Sequence, residues 1–176
     1  MKTRIDFQYH EIIGWVILEV MTMSHFGITI KGTAACLFTG ILIQLSLIDW
    51  KHQCLPNVYT LSLILLGLLM NAWALFVSLR EAFLGAILAY VILWCITELF
   101  RILSGKVGMG RGDLKLFAAI GAWLGWQPLP WVMAASSLSG FFVMAWMIFF
   151  RYRNKDEAMA FGPFLAFFGW SALWLY

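Results

Sequence analysis

Two aspartates carry the chemistry this sequence could do. Asp113 ends the run GMGRGD within GMGRGDLKLF, residues 108–117, where Gly108, Gly110 and Gly112 fall at every second position before an apolar stretch. Asp49 ends a second apolar stretch and is followed by WKHQCLPN, in which Pro56 stops a helix and Asn57 stands where an N-cap would open the next one. Two carboxyl groups a few ångströms apart cannot both ionise easily, so one keeps its proton. The ionised partner can take a proton from water as that water attacks a peptide carbonyl. The protonated partner can donate to the carbonyl oxygen and then to the leaving amine, the pair titrating as a unit. This chemistry needs no metal and no cofactor. Glycine tolerates positive φ and lets another chain approach closely, so Gly108, Gly110 and Gly112 read as a pliable active-site loop of little bulk.

The elements that must position these acids are membrane helices. Of the 176 residues, 62% are hydrophobic and 12% charged, with ten Trp and fifteen Phe. A soluble domain carries about 25% charged residues, so the composition is that of an integral membrane protein. A span needs about 20 mostly apolar residues. The sequence offers seven candidates, or six if the weak first one, about 12–30 and interrupted by Glu19 and His25, lies in the interface. The others run about 33–49, 58–79, 82–102, from near Leu114 to Gln127-Pro128, 131–150 and 159–175. The fifth has only about 14 residues, short for a full span. Gly162-Pro163 would break the seventh locally. The fold class expected is all-α, a polytopic helix bundle forming one membrane-embedded domain over residues 1–176.

Basic residues orient the bundle, because Lys and Arg favour cytoplasmic loops. Lys2 and Arg4, Lys51 with His52, the group Arg101, Lys106, Arg111 and Lys115, and the group Arg151, Arg153 and Lys155 all fall on one side. The alternate loops hold Lys31 and Arg80 beside Glu81. The expected topology has the N-terminus in the cytoplasm and the C-terminus outside. It sets Asp49 and Asp113, 64 positions apart, at the same cytoplasmic depth. The net charge of +3 is scattered over short loops and gives no nucleic-acid surface.

Each residue also has a plainer reading. Asp113 could cap its helix by accepting from the N–H of Lys115 or Leu116, and Asp49 could merely end a helix at the headgroups. Lys115 could favour an ionised carboxylate beside it or be an ordinary cytoplasmic lysine. Gly162 and Pro163 could shape a cleft or only kink a span. Glu98 and Arg101, at i and i+3, could pair. Cys36, Cys54 and Cys95 have no CxxC spacing and read as small buried hydrophobes. His10, His25 and His52 have no partner spacing for a metal. Trp73, Trp126 and Trp131 stand at span ends, as an aromatic belt would.

Taken together, the segments point to a family. ELFRILSGKVGMGRGDLKLFAAIGAWLGW, residues 98–126, closely resembles the second active-site region of type IV prepilin peptidases, which are GxGD-type membrane aspartic proteases. LIDWKHQCLPNVYTLSLILLGLL, residues 47–69, resembles the first, with Asp49 seven positions before Pro56. FGPFLAFFGW looks like the family's late helix. The resemblance covers about residues 40–170 and implies an endopeptidase that removes the short basic leader of type IV prepilins or pseudopilins. The cut would fall at the cytoplasmic face of the bacterial inner membrane, after a glycine, with Asp49 and Asp113 as the catalytic pair. Asn57 stands where the family often has an acid. Larger members carry an N-terminal region with paired CxxC motifs and also N-methylate the new terminus. The lack of CxxC here leads to the expectation of a peptidase-only short form without a methyltransferase domain. Two other readings compete: a non-catalytic docking component of a pilus or secretion apparatus, and a small transporter using both acids as a relay. The sequence leaves the oligomeric state and the particular prepilin open.

Overall fold

The computed structural model describes residues 14, 16–105, 108–150 and 160–176. Lys2, Arg4, His10, Lys106, Arg151, Arg153 and Lys155, used above for orientation and metal readings, lie outside the described residues. Every regular element among the described residues is helical: α1 Val16–Phe26, α2 Ile30–His52, α3 Asn57–Ala72, α4 Leu79–Ser104, α5 Arg111–Leu124, α6 Leu129–Phe149 and α7 Gly162–Ala172, with a closing 3-10 turn Leu173–Leu175. The chain is a membrane helix bundle. The helices α2, α4 and α6 are long and apolar enough to cross a bilayer, and α1, α3 and α7 are shorter apolar helices.

Local signals set the boundaries. Thr29 opens α2 by accepting from the Gly32 N–H. Ser78 and Glu81 form a reciprocal capping box at the start of α4, and Gly105 ends that helix in the left-handed conformation. The span expected over 58–79 is therefore divided. The helix α3 stops at Ala72, and the turn of residues 73–78 precedes α4, because Ser78 with Glu81 is a stronger start signal than continued apolarity is a reason to go on.

Helix α5 is the centre of the bundle. Its 14 residues reach only about 21 Å, less than the roughly 30 Å hydrocarbon layer, so α5 is not a span by length. It is buried nearly all round, from Leu116 to Leu124 without interruption, as a helix enclosed by others must be. It packs chiefly on α4 and α3, and also on α7, while α2 and α6 pack on α7. The contact with α4 is a backbone approach: a Cβ on Gly121 would fall 2.4 Å from the Gly85 carbonyl oxygen, so both positions require glycine. Trp123 joins three helices. Its ring lies 4.8 Å from that of Phe38 on α2, and its Nε1–H donates to the Leu63 carbonyl on α3 at 2.8 Å. Asn71 fastens the other end. Its amide donates to the carbonyls of Ala122 and Trp123 and accepts from the N–H groups of Phe76 and Val77, so every hydrogen bond of this fully buried side chain is made.

The cysteines depart from expectation. Among the described residues, Cys36 is half-buried and Cys54 and Cys95 are exposed, Cys95 on α4. Glu98 and Arg101 do form the expected ion pair. Trp73, Trp126 and Trp131 stand exposed at helix ends, as an interfacial belt requires.

Candidate active site

Asp49 lies in the last turn of α2, where Gln53 turns left-handed at φ 50° and returns its N–H to the Asp49 carbonyl at 2.8 Å. The chain leaves the helix there, three residues before Pro56. Pro56 is instead the extended residue that opens α3. Asn57 is accordingly the first residue of α3 and not its cap. Its side-chain oxygen accepts from Lys115 Nζ at 2.6 Å, tying the start of α3 to the start of α5. Lys115 thus turns to an amide rather than to the carboxylate two residues before it.

Asp113 lies in the first turn of α5. The cap is Gly110, so the helix begins earlier than Leu114 and Asp113 does not have the capping role weighed above. The glycines serve close packing and not unusual backbone. Among the described residues positive φ occurs at Gly27, Gln53, Ala74, Gly105 and Gly125, and at none of the GxGD positions. A Cβ on Gly112 would come 2.7 Å from the Leu55 Cβ, and one on Gly108 would come 2.6 Å from the Phe100 ring. Gly108 and Gly112 therefore let the start of α5 seat against the loop after Asp49 and against α4. They do not leave an empty space for a substrate.

Both acids are buried, Asp49 at 5% exposure and Asp113 at 8%. Asp113 precedes the apolar stretch of α5 and lies outside the long spans. Burial, and after it the negative charge of Asp49, push its carboxyl up from 3.8 to about 7, against a hydrogen bond from the Gly110 backbone. Asp49 is thus near enough to act on Asp113 electrostatically, and the two helix ends share one site. Asp113 Oδ1 is buried without a hydrogen-bond partner among the described residues. An unpartnered buried carboxyl oxygen suits a group that carries a proton or awaits one.

The third element is α7. Gly162 and Pro163 do not kink a span that began near 159. They begin the helix, with proline in its first turn, where its missing N–H costs nothing. The Gly162 N–H donates to Asp49 Oδ2 at 2.9 Å. A Cβ at Gly162 would fall 2.7 Å from that same oxygen, so glycine is required for the carboxylate to reach the helix end. A helix N-terminus presents free N–H groups and the positive end of the peptide dipoles, and here it gives the buried Asp49 carboxyl a hydrogen-bond donor. The sequence marked Gly162 and Pro163 without showing this role. The contacts of Leu55 with Gly112 and of Asn57 with Lys115 had no signal in the sequence, because neither pair shares a helix.

Comparison with known proteins gives the family. A model of the type IV leader peptidase family matches residues 36–145, a stretch that holds both aspartates. The chain is 46% identical over 149 residues to the prepilin leader peptidase/N-methyltransferase of Pseudomonas aeruginosa, covering 85% of this chain and 51% of the relative. It is 47% identical over 140 residues to the protein of that name from Aeromonas hydrophila, covering 80% and 48%. With the one from Legionella pneumophila it shares 43% over 157 residues, covering 89% and 55%. The chain spans about half the length of these relatives. No solved structure matches it. With the motif regions, the site and this similarity in accord, the chain belongs to the type IV leader peptidase family.

Proposed function

We propose that the protein is an aspartic endopeptidase that removes the leader of type IV prepilins or prepilin-like proteins, after a glycine, at the cytoplasmic face of the inner membrane. One observation carries the reading: two buried carboxyl groups from distant helix ends, one acting on the other through its charge. The names of the relatives supply the substrate class. Asp49, oriented by the Gly162 N–H, acts as the ionised member of the pair and takes a proton from the attacking water. Asp113, kept protonated by burial and by the charge of Asp49, donates to the carbonyl oxygen. As the tetrahedral intermediate collapses, one of its hydroxyls returns a proton to Asp113 while the C=O reforms, the proton taken up by Asp49 passes to the leaving nitrogen, and the dyad is left with one proton again. Gly110 and Gly162 orient the two carboxyls through backbone hydrogen bonds, and Gly112, Pro56 and Lys115 hold the loops that carry them.

A site at the end of α2 suits a substrate that is itself anchored by an apolar helix and cut where that helix begins. Peptidase action is assigned to residues 1–176. The test mixes purified protein in detergent with a type IV prepilin and maps the new N-terminus by mass spectrometry. An unmethylated terminus just after the leader glycine is expected. An intact prepilin under conditions where the protein is folded would defeat the reading, and a methylated terminus would reveal a second activity in these residues.

A further inference from the structure

A groove of 520 Å³ lies between α1, α2 and α7. Its α2 wall runs from Thr39 through Ile43 to Leu47, two residues before Asp49, and its α7 wall runs from Pro163 through Phe167 to Trp170. Pro163 follows the glycine that holds Asp49, so the groove begins beside the carboxylate pair. From Thr39 to Leu47 is about 12 Å of helix, a little over two turns. At its far end Trp170 Nε1–H donates to Thr22 Oγ1 at 3.0 Å, and Thr22 Oγ1 lies 3.4 Å from Thr39 Oγ1. No charged side chain lines the groove among the described residues.

We infer that this groove docks the first two turns of the substrate's apolar helix, with the scissile bond held at the Asp49 end. The inference rests on the peptidase reading and adds where the uncleaved part of the substrate lies. Two features favour a peptide helix over a lipid chain: the groove starts at the reacting groups, and its α2 wall is only about two helical turns long. An apolar helix laid there leaves its N-terminal end, where the leader joins, at the dyad.

Two measurements test it. Ile43→Trp fills the middle of the groove, six residues from Asp49. The ratio of kcat/KM for a prepilin with its whole apolar helix to kcat/KM for a peptide ending four residues past the cut is expected to fall about tenfold or more, the affinity one buried aliphatic side chain carries. An unchanged ratio overturns the inference. A benzoylphenylalanine photocrosslinker replacing Phe167 in an Asp113→Asn background is expected to capture the prepilin's apolar helix in phosphatidylglycerol vesicles. Capture of lipid alone overturns it. This second measurement decides the point even if Ile43→Trp fails to fold. If the unsubstituted protein cuts neither substrate, the peptidase reading falls, and the crosslink still reports on the groove.

Discussion

At position 162 the space for a side chain is taken by a carboxylate. Gly162→Ala would place a methyl 2.7 Å from Asp49 Oδ2, and the acid or the start of α7 would have to move. A displacement of this kind at a reacting group costs about 10²-fold in rate. Gly162→Ala is therefore expected to lower kcat by about 10²-fold while the melting temperature changes little, measured on the same preparation. The partner acid makes a pH prediction. Asp113 holds its proton up to about 7 in the folded protein and only to 3.8 when exposed. Its contribution to stability is thus complete below 3.8 and is lost as pH rises through about 7. Activity should fall on the basic side with a midpoint near that value, because the proton donor is then gone. In Asp113→Asn the thermal stability should depend less on pH between 5 and 9 than in the unsubstituted protein. Calorimetry at several pH values checks the second point and a pH–rate profile the first.

Helix α5 is positioned at both ends by neighbours, and Asn71 is the fixing point farther from the chemistry. Asn71→Ala removes hydrogen bonds to two carbonyls and two N–H groups in a buried place. A loss of about 3 kcal/mol is expected, read as a lower denaturation midpoint, since each buried group left unpaired costs about 1–3 kcal/mol. The role of Asn71 was not legible in the sequence. A lone amide in the apolar run NVYTLSLILLGLLMNA shows a polar group inside a helix, and only the fold shows which four partners meet it. The long helices α2, α4 and α6 were legible because about 20 apolar residues in a row leave little choice. Gly162-Pro163 was misread for a reason of local chemistry: the same pair breaks a helix from within or starts one, and the backbone preferences are alike in both cases. The glycines of residues 108–112 were misread similarly. Their conformational freedom is visible in sequence, whereas the nearness of Leu55 and Phe100 is a tertiary fact.

For the molecule as a whole, the basic loops predicted that Asp49 and Asp113 lie at one depth, and the bundle joins the ends of α2, α5 and α7 in one site. The side of the membrane can be read from a natural reporter. Cys54 is exposed in the turn after Asp49, Cys36 is half-buried, and Cys95 is exposed on α4. A membrane-impermeant maleimide should label Cys54 in inverted inner-membrane vesicles and not in intact spheroplasts; labelling from the outer side would reverse the proposed orientation. The central claim is that two acids from opposite parts of the chain act as one unit, and a double-mutant cycle tests it most directly. In the prepilin cleavage assay, Asp49→Asn, Asp113→Asn and the double substitution should each lose activity by about 10²–10⁴-fold, with the double scarcely worse than either single, as groups acting together require. Near-normal cleavage by either single variant, or losses that multiply in the double, would contradict the account.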